Sequence, residues 1–151
     1  MDKFIMAIAS GFYTGYLPKA PGTWGSLVAL PIHFLLIRLS ANSYFIALGL
    51  IFVIAIITAG GAEKIIDRQD PGIIVIDEII GMLITLIYAP NHILIWLLGF
   101  VIFRFFDILK PFPVGWIDKR LHGGTGIVLD DVVAGIYSLM VLQLICYLFN
   151  W

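Results

Sequence analysis

The sequence predicts an all-α membrane bundle of about four to five spans, preceded by an interfacial N-terminal helix. Three observations carry this. First, 61% of the residues are hydrophobic and 13% charged, with a mean hydropathy of +1.03, whereas about a quarter of a soluble domain is charged. Second, the apolar residues come in long uninterrupted runs bounded by Gly, Pro and charged clusters, which is the pattern of membrane helices rather than of alternating strands. Third, charge is distributed asymmetrically between the connections. With five crossings and a cytoplasmic N-terminus, Lys3, Lys19, Lys64, Arg68, Arg104, Lys110, Lys119 and Arg120 fall inside and only Arg38 outside. The same threading puts all ten carboxylates inside.

The elements follow in order. Residues 1–17 combine a charged start with an apolar centre. They lack a small-residue cleavage site and read as a retained interfacial helix rather than a signal peptide. Residues 18–26 (PKAPGTWGS) form a breaker-rich loop in which Thr23 or Ser26 would cap the next helix and the glycines would let backbone amides approach an anion. Residues 27–39, with Pro31 and His33, are short for a span that needs roughly 20 residues, so this helix must borrow from the preceding loop or tilt. His33 among aliphatic neighbours reads as a hydrogen-bonded packing residue. Residues 43–62 hold no charge and form a clear span, ending in a smooth Ala59-Gly60-Gly61-Ala62 patch suited to close packing. The helix is expected to continue through Glu63 and Asp67 until Asp70-Pro71-Gly72 stops it. Residues 73–89 and 93–106, joined by Pro90-Asn91-His92, read as a helical hairpin of two spans, and 132–149 as the last span, thin at Ala134, Gly135 and Ser138. No repeat, low-complexity tract or linker divides residues 1–151, which read as a single membrane-embedded domain.

The stretch 104–138 organises the chemistry. It contains four of the ten acidic residues and four of the nine basic ones, between apolar segments. Arg104, Asp107 and Lys110 recur at one-turn spacing, and Asp130-Asp131 is expected to open the last span. Asp77 and Glu78 stand near the start of another apolar helix, where a carboxylate is costly unless paired, hydrated or bound to metal. A solvated mixed-charge loop and an interfacial pair satisfied by Arg104 or Lys64 are the plainer readings. The functional reading is a cytoplasm-facing site. Carboxylates near an interface suit Mg2+, which uses a few carboxylates together with substrate phosphate oxygens. Arg104, Lys110 and Lys19 would hold phosphate, with arginine supplying a fork and lysine a point charge. Net charge of −1 without a basic stripe argues against nucleic acid, and the lone Cys146 excludes an internal disulfide or a thiol ligand cluster. Phosphoryl chemistry on a lipid head group is the leading expectation. Spacing alone does not separate hydrolysis from transfer or from ion transport.

Four blocks, PGTWGS (21–26), DPGIIVIDEIIG (70–81), FRFFDILKPFPVGWID (103–118) and GIVLDDVVAGIYS (126–138), together resemble the phosphatidylglycerophosphatase A family, in that family's order. The resemblance implies a Mg2+-dependent phosphatase of the bacterial inner membrane that converts phosphatidylglycerophosphate to phosphatidylglycerol. It makes candidates of Thr23, Ser26, Asp70, Asp77, Glu78, Arg104, Asp107, Lys110, Asp130 and Asp131 without assigning their roles. Asp77, Glu78, Asp130 and Asp131 are the expected metal ligands, with Asp77 and Asp131 the most direct. Glu78, Asp130 and Asp107 are the expected catalytic groups, and Lys19, Thr23, Ser26, Arg104 and Lys110 the expected phosphate-binding ones. An aspartate and an activated water both remain open as nucleophile, as do the number of metals and the oligomeric state. Two alternatives lack their sequence signals. A CDP-alcohol phosphatidyltransferase would need D-G-x-x-A-R followed by G-x-x-x-D-x-x-x-D, which is missing. An ion or proton carrier using Asp77 and Glu78 would need acids deep in the spans rather than at one end.

Overall fold

A computed structural model describes residues 1–151 as an all-helical chain: α1 (Asp2–Ala9), a 3-10 turn (Thr14–Tyr16), α2 (Pro21–Leu36), α3 (Ala41–Ile66), α4 (Ile76–Thr85), α5 (Ile93–Leu109), α6 (Val114–Arg120) and α7 (Gly123–Leu148). Helix α4 occupies the centre, packed by α2, α3, α5 and α7. All of its residues except Glu78 and Ile84 are buried, as expected for a helix apolar all round. Helices α3 and α7 are long and apolar enough to cross a membrane, at 26 residues each. Their outward faces are bare: Ile46, Leu50, Val53 and Ile57 on α3, and Ile136, Met140 and Leu144 on α7, are all exposed.

Several boundaries differ from those the sequence predicts. Helix α1 is shorter than expected, because Gly11, Phe12 and Tyr13 all take positive φ and turn the chain. Helix α2 absorbs most of the breaker-rich loop: it begins at Pro21 after Ala20 in the left-handed region, and neither Thr23 nor Ser26 caps it. Proline at the first helical position loses no intrahelical hydrogen bond, so a breaker signal in mid-chain is here a start signal. Helix α3 stops at Asp67, whose φ of 54° ends it before the Asp70-Pro71-Gly72 stop. Helix α4 has 10 residues rather than a full span. Its expected first residues instead form a turn, in which the Ile74 N–H donates to the Pro71 carbonyl, and the Val75 N–H that follows donates to the Ala9 carbonyl, both at 2.9 Å. The expected hairpin is therefore a buried half-length helix followed by the 17-residue α5, about 26 Å long at 1.5 Å per residue.

Helix α7 starts at Gly123, so Asp130 and Asp131 lie two turns inside it rather than at its N-terminus. The Gly-Gly-Thr-Gly opening has poor helix propensity, but close packing overrides it. A β-carbon at Gly124 would run into Ile56 and Gly60 of α3, and one at Gly60 would come within 3.1 Å of the Gly124 nitrogen. The small patch on α3 thus serves as the sequence suggests, as does the thin face of α7: a β-carbon at Gly135 would overlap the Gly81 backbone of α4. The short α6 is absent from the sequence reading, which treated this stretch as loop. Only its Val114 is fully buried.

The two ends of the bundle differ in kind. At one end gather the start of α2, the start of α4, the end of α5, α6 and the first turns of α7, with the charges they carry. At the other, the α2–α3 and α4–α5 turns and the C-terminus meet through aromatic contacts, Phe45 on Tyr88 and His92 on Trp151.

Candidate active site

Helix α5 supplies two cations near its C-terminal end, and each fastens a carboxylate from another element. Arg104 Nη1 pairs with Asp107 on its own helix and lies 3.9 Å from Glu78 Oε1 of α4. Lys110, which ends α5 in the left-handed conformation, donates to Asp118 Oδ1 of α6 at 2.9 Å and to Asp130 Oδ2 of α7. Burial works against the charge on Lys110, but the hydrogen bonds to Asp130 and Asp118 and the charges of Asp130 and Asp131 outweigh it. The ammonium is held above its ordinary range and stays protonated.

Between these pairs sits the most concentrated negative charge in the chain. Ligand oxygens of Asp77, Glu78 and Asp131 all lie within 4.8 Å of one another. Asp77 and Asp131 are 8% and 3% exposed, and Asp107 and Asp130 are equally enclosed. Asp77 Oδ1, Glu78 Oε2 and Asp130 Oδ1 are buried without a hydrogen-bond partner from the protein. Five carboxylates thus meet two cations, Arg104 and Lys110, in a poorly hydrated site. Such an excess is tolerated only if protons or a further cation offset it. The donor set suits a hard cation: it is all carboxylate oxygen, with neither sulfur nor imidazole. Oxygens on opposite sides of a Mg2+ ion are about 4 Å apart, twice a bond of ~2.1 Å, so only a small closure of the group is required.

A sequence profile of the family described as phosphatidylglycerophosphatase A matches residues 7–146. The chain belongs to this family. A phosphatidylglycerophosphatase A of Escherichia coli K12 is 42% identical over 139 residues, covering 91% of this chain and 81% of the relative. A Haemophilus influenzae protein of the same name is 39% identical, covering 95% and 89%. A Bacteroides thetaiotaomicron protein, provisionally named as a phosphatidylinositol-3-phosphatase, is 36% identical, covering 89% of each chain. No solved structure matches the chain.

For this phosphatidylglycerophosphatase A family member, the structure brings together Asp77, Glu78, Arg104, Asp107, Lys110, Asp130 and Asp131 from the predicted set. It does not bring in all of the predicted phosphate-binding residues. Ser26 is buried and its hydroxyl donates to the Gly22 carbonyl of its own helix at 2.8 Å. Lys19 is exposed and makes no ion pair. Thr23 stands half-buried in the first turn of α2, beside the cluster only through its neighbour Gly22. Asp70 lies outside the buried group, on a small polar cavity shared with Glu63, Asp118 and His122.

Two participants escaped the sequence reading. Asp118 is not visible in the sequence because its orientation depends on α6, a stretch that reads as loop. Gly22 lies against the cluster, where a β-carbon would overlap Glu78 Oε1 and sit 2.9 Å from Arg104 Nη1. Its signal was the PGTWGS block itself, in which the glycine looked like a turn residue. His33 departs in another way: it is buried against Tyr44 and Trp96, but neither ring nitrogen has a hydrogen-bond partner.

Proposed function

We propose that this chain is a Mg2+-dependent phosphatidylglycerophosphatase, hydrolysing the terminal phosphate monoester of phosphatidylglycerophosphate to release phosphatidylglycerol and inorganic phosphate. The observation that carries the chemistry is the buried Asp77–Glu78–Asp131 group beside Arg104 and Lys110, and family membership supplies the substrate. The bare apolar faces of α3 and α7, together with α5, support a multi-pass protein of the bacterial inner membrane. Confinement of the charge to one end supports a site facing the cytoplasm.

In this reading Asp77, Glu78 and Asp131 hold Mg2+, with Asp130 as a further ligand or orienting group. Bound there, Mg2+ supplies positive charge that stabilises the phosphoryl group during transfer. The protein's own groups do the rest. Arg104 and Lys110 exchange part of their contact with Asp107 and Asp130 for the substrate phosphate, the guanidinium as a fork and the ammonium as a point charge. Asp107 or Asp130, released in that exchange, takes the proton of the attacking water. The bond from water oxygen to phosphorus forms as the phosphorus–oxygen bond to glycerol breaks, and the proton taken by that aspartate passes to the leaving glycerol oxygen.

The test is phosphate release from phosphatidylglycerophosphate by the purified protein in lipid nanodiscs. Release is expected only with a divalent cation. Undiminished release in excess chelator would remove the metal from the proposal.

A further inference from the structure

We infer that a second binding site, for a neutral amphiphile bearing a hydroxyl group, lies at the end of the bundle opposite the acidic cluster. Helix α2 runs from Gly22, against Glu78, to His33 eleven residues later, about 16 Å along its axis. There a cavity of about 240 Å³ opens between the α2–α3 and α4–α5 turns, lined by His33, Tyr44, Leu86 and their neighbours. Leu39, Phe45 and Tyr88 line it too and are themselves exposed, so its mouth is apolar.

Two polar side chains in this cavity lack partners. His33 is 1% exposed and Tyr44 is 9% exposed, and His33 Nδ1, His33 Nε2 and Tyr44 Oη make no hydrogen bond within the protein. A buried donor or acceptor left unmade is costly, and a neutral imidazole beside a phenol offers two donors and two acceptors. Water alone is a poor occupant. The volume would take several waters, and each needs two to four polar partners, whereas nine of the ten lining residues are hydrophobic. A charged ligand would find no countercharge, because no Asp, Glu, Lys or Arg lines the cavity. What fits is a small apolar body, or the head of a longer lipid with its chain leaving through the mouth. One hydroxyl could donate to the bare imidazole nitrogen of His33 and accept from the Tyr44 hydroxyl.

The site is tested by photolabelling the full chain in nanodiscs with a diazirine-bearing octanol and mapping the labelled peptides. Label is expected to concentrate at His33, Tyr44 and Tyr88, to be displaced by excess octanol, and to resist the anionic octanoate. His33→Leu and Tyr44→Phe should each reduce it about fivefold, the effect of one hydrogen bond, while phosphate release continues and certifies the fold. Displacement by monooleoylglycerol as well as octanol assigns the hydroxyl to a membrane lipid, and displacement by octanol alone to a freely partitioning alcohol. Should His33→Leu lose phosphate release, Tyr44→Phe, which removes a single oxygen, decides. Label spread evenly over lipid-facing Ile46 and Leu50, unchanged in Tyr44→Phe, or displaced equally by octanoate, would overturn the inference.

Discussion

Gly22 offers a sharp test of the site because its replacement should separate activity from stability. A β-carbon there would overlap Glu78 Oε1 and approach Glu78 Cδ to 3.0 Å and Arg104 Nη1 to 2.9 Å, where ordinary contact begins near 3.4 Å. In Gly22→Ala the Glu78 carboxylate and the Arg104 guanidinium must therefore withdraw, on the order of 1 Å for the overlapping oxygen. Misplacement of that size costs about 100-fold in rate. The fold should hardly notice. Glu78 has three torsions with which to move aside, and alanine favours a helix over glycine by about 0.5–1 kcal/mol. At ~2–4 °C per kcal/mol for a chain of this size, the melting temperature should stay within a few degrees. The assay is phosphate release in nanodiscs alongside thermal unfolding of the same samples. Glu78→Asp, one methylene shorter, makes room for the new methyl, so the double variant should be more active than the two single losses added together. Wild-type turnover in Gly22→Ala, or a loss explained by the fraction unfolded, would refute the placement of Gly22 and Glu78 in the working site.

Asp131→Asn and Asp77→Asn should abolish turnover while leaving the melting temperature equal or higher, since each removes a carboxylate from a buried group of like charges; loss of folded protein in both would mark the cluster as structural. Arg104→Lys keeps the charge but loses the fork, so it should raise KM for the lipid with little change in the Mg2+ concentration needed for half-maximal rate, read from metal titrations at fixed substrate. Cysteines placed singly in 111–125 should react with an impermeant maleimide only from the cytoplasmic side, and one at Asn91 only from outside; the reverse pattern would move the charged end away from cytoplasmic Mg2+.

How much of this could be read from residues alone depends on whether a local rule agreed with the tertiary context. The acids near the start of α4 were visible because a carboxylate in an apolar run has few innocent explanations, and the structure does group Asp77 and Glu78 with Asp131. The cations of α5 were visible because Arg104, Asp107 and Lys110 repeat at helical spacing. Where glycine and proline are concerned, local rules misled. PGTWGS and GGTG read as loop, yet both open helices, because at Gly22 and Gly124 the missing side chain admits another element rather than bending the chain. The same ambiguity places Asp130 and Asp131 at a helix start in the sequence reading, whereas two turns of helix precede them. Helix α6 is only seven residues long, too short for periodicity to announce it, and Asp118 was lost with it.

The arrangement explains why the polar residues can sit so far into an apolar bundle. Helix α4, ten residues long and preceded by a turn tied to Ala9, begins inside the bundle, so that Asp77 is buried and Glu78 half-buried. Helix α7 does the converse, extending beyond its apolar part so that Asp130 and Asp131 project from a helix interior rather than from a frayed end. Contact between α4 and α7 at Gly81 and Gly135, close enough for a β-carbon on Gly81 to reach 2.7 Å from the Asp131 carbonyl, sets the spacing between the two acidic pairs. The acids are thus held by backbone packing, which a change of charge does not loosen, while Arg104 and Lys110 hold their partners by ion pairs that a phosphate can replace. Rigid carboxylates and exchangeable cations are what a site needs if it must keep a metal and release a product.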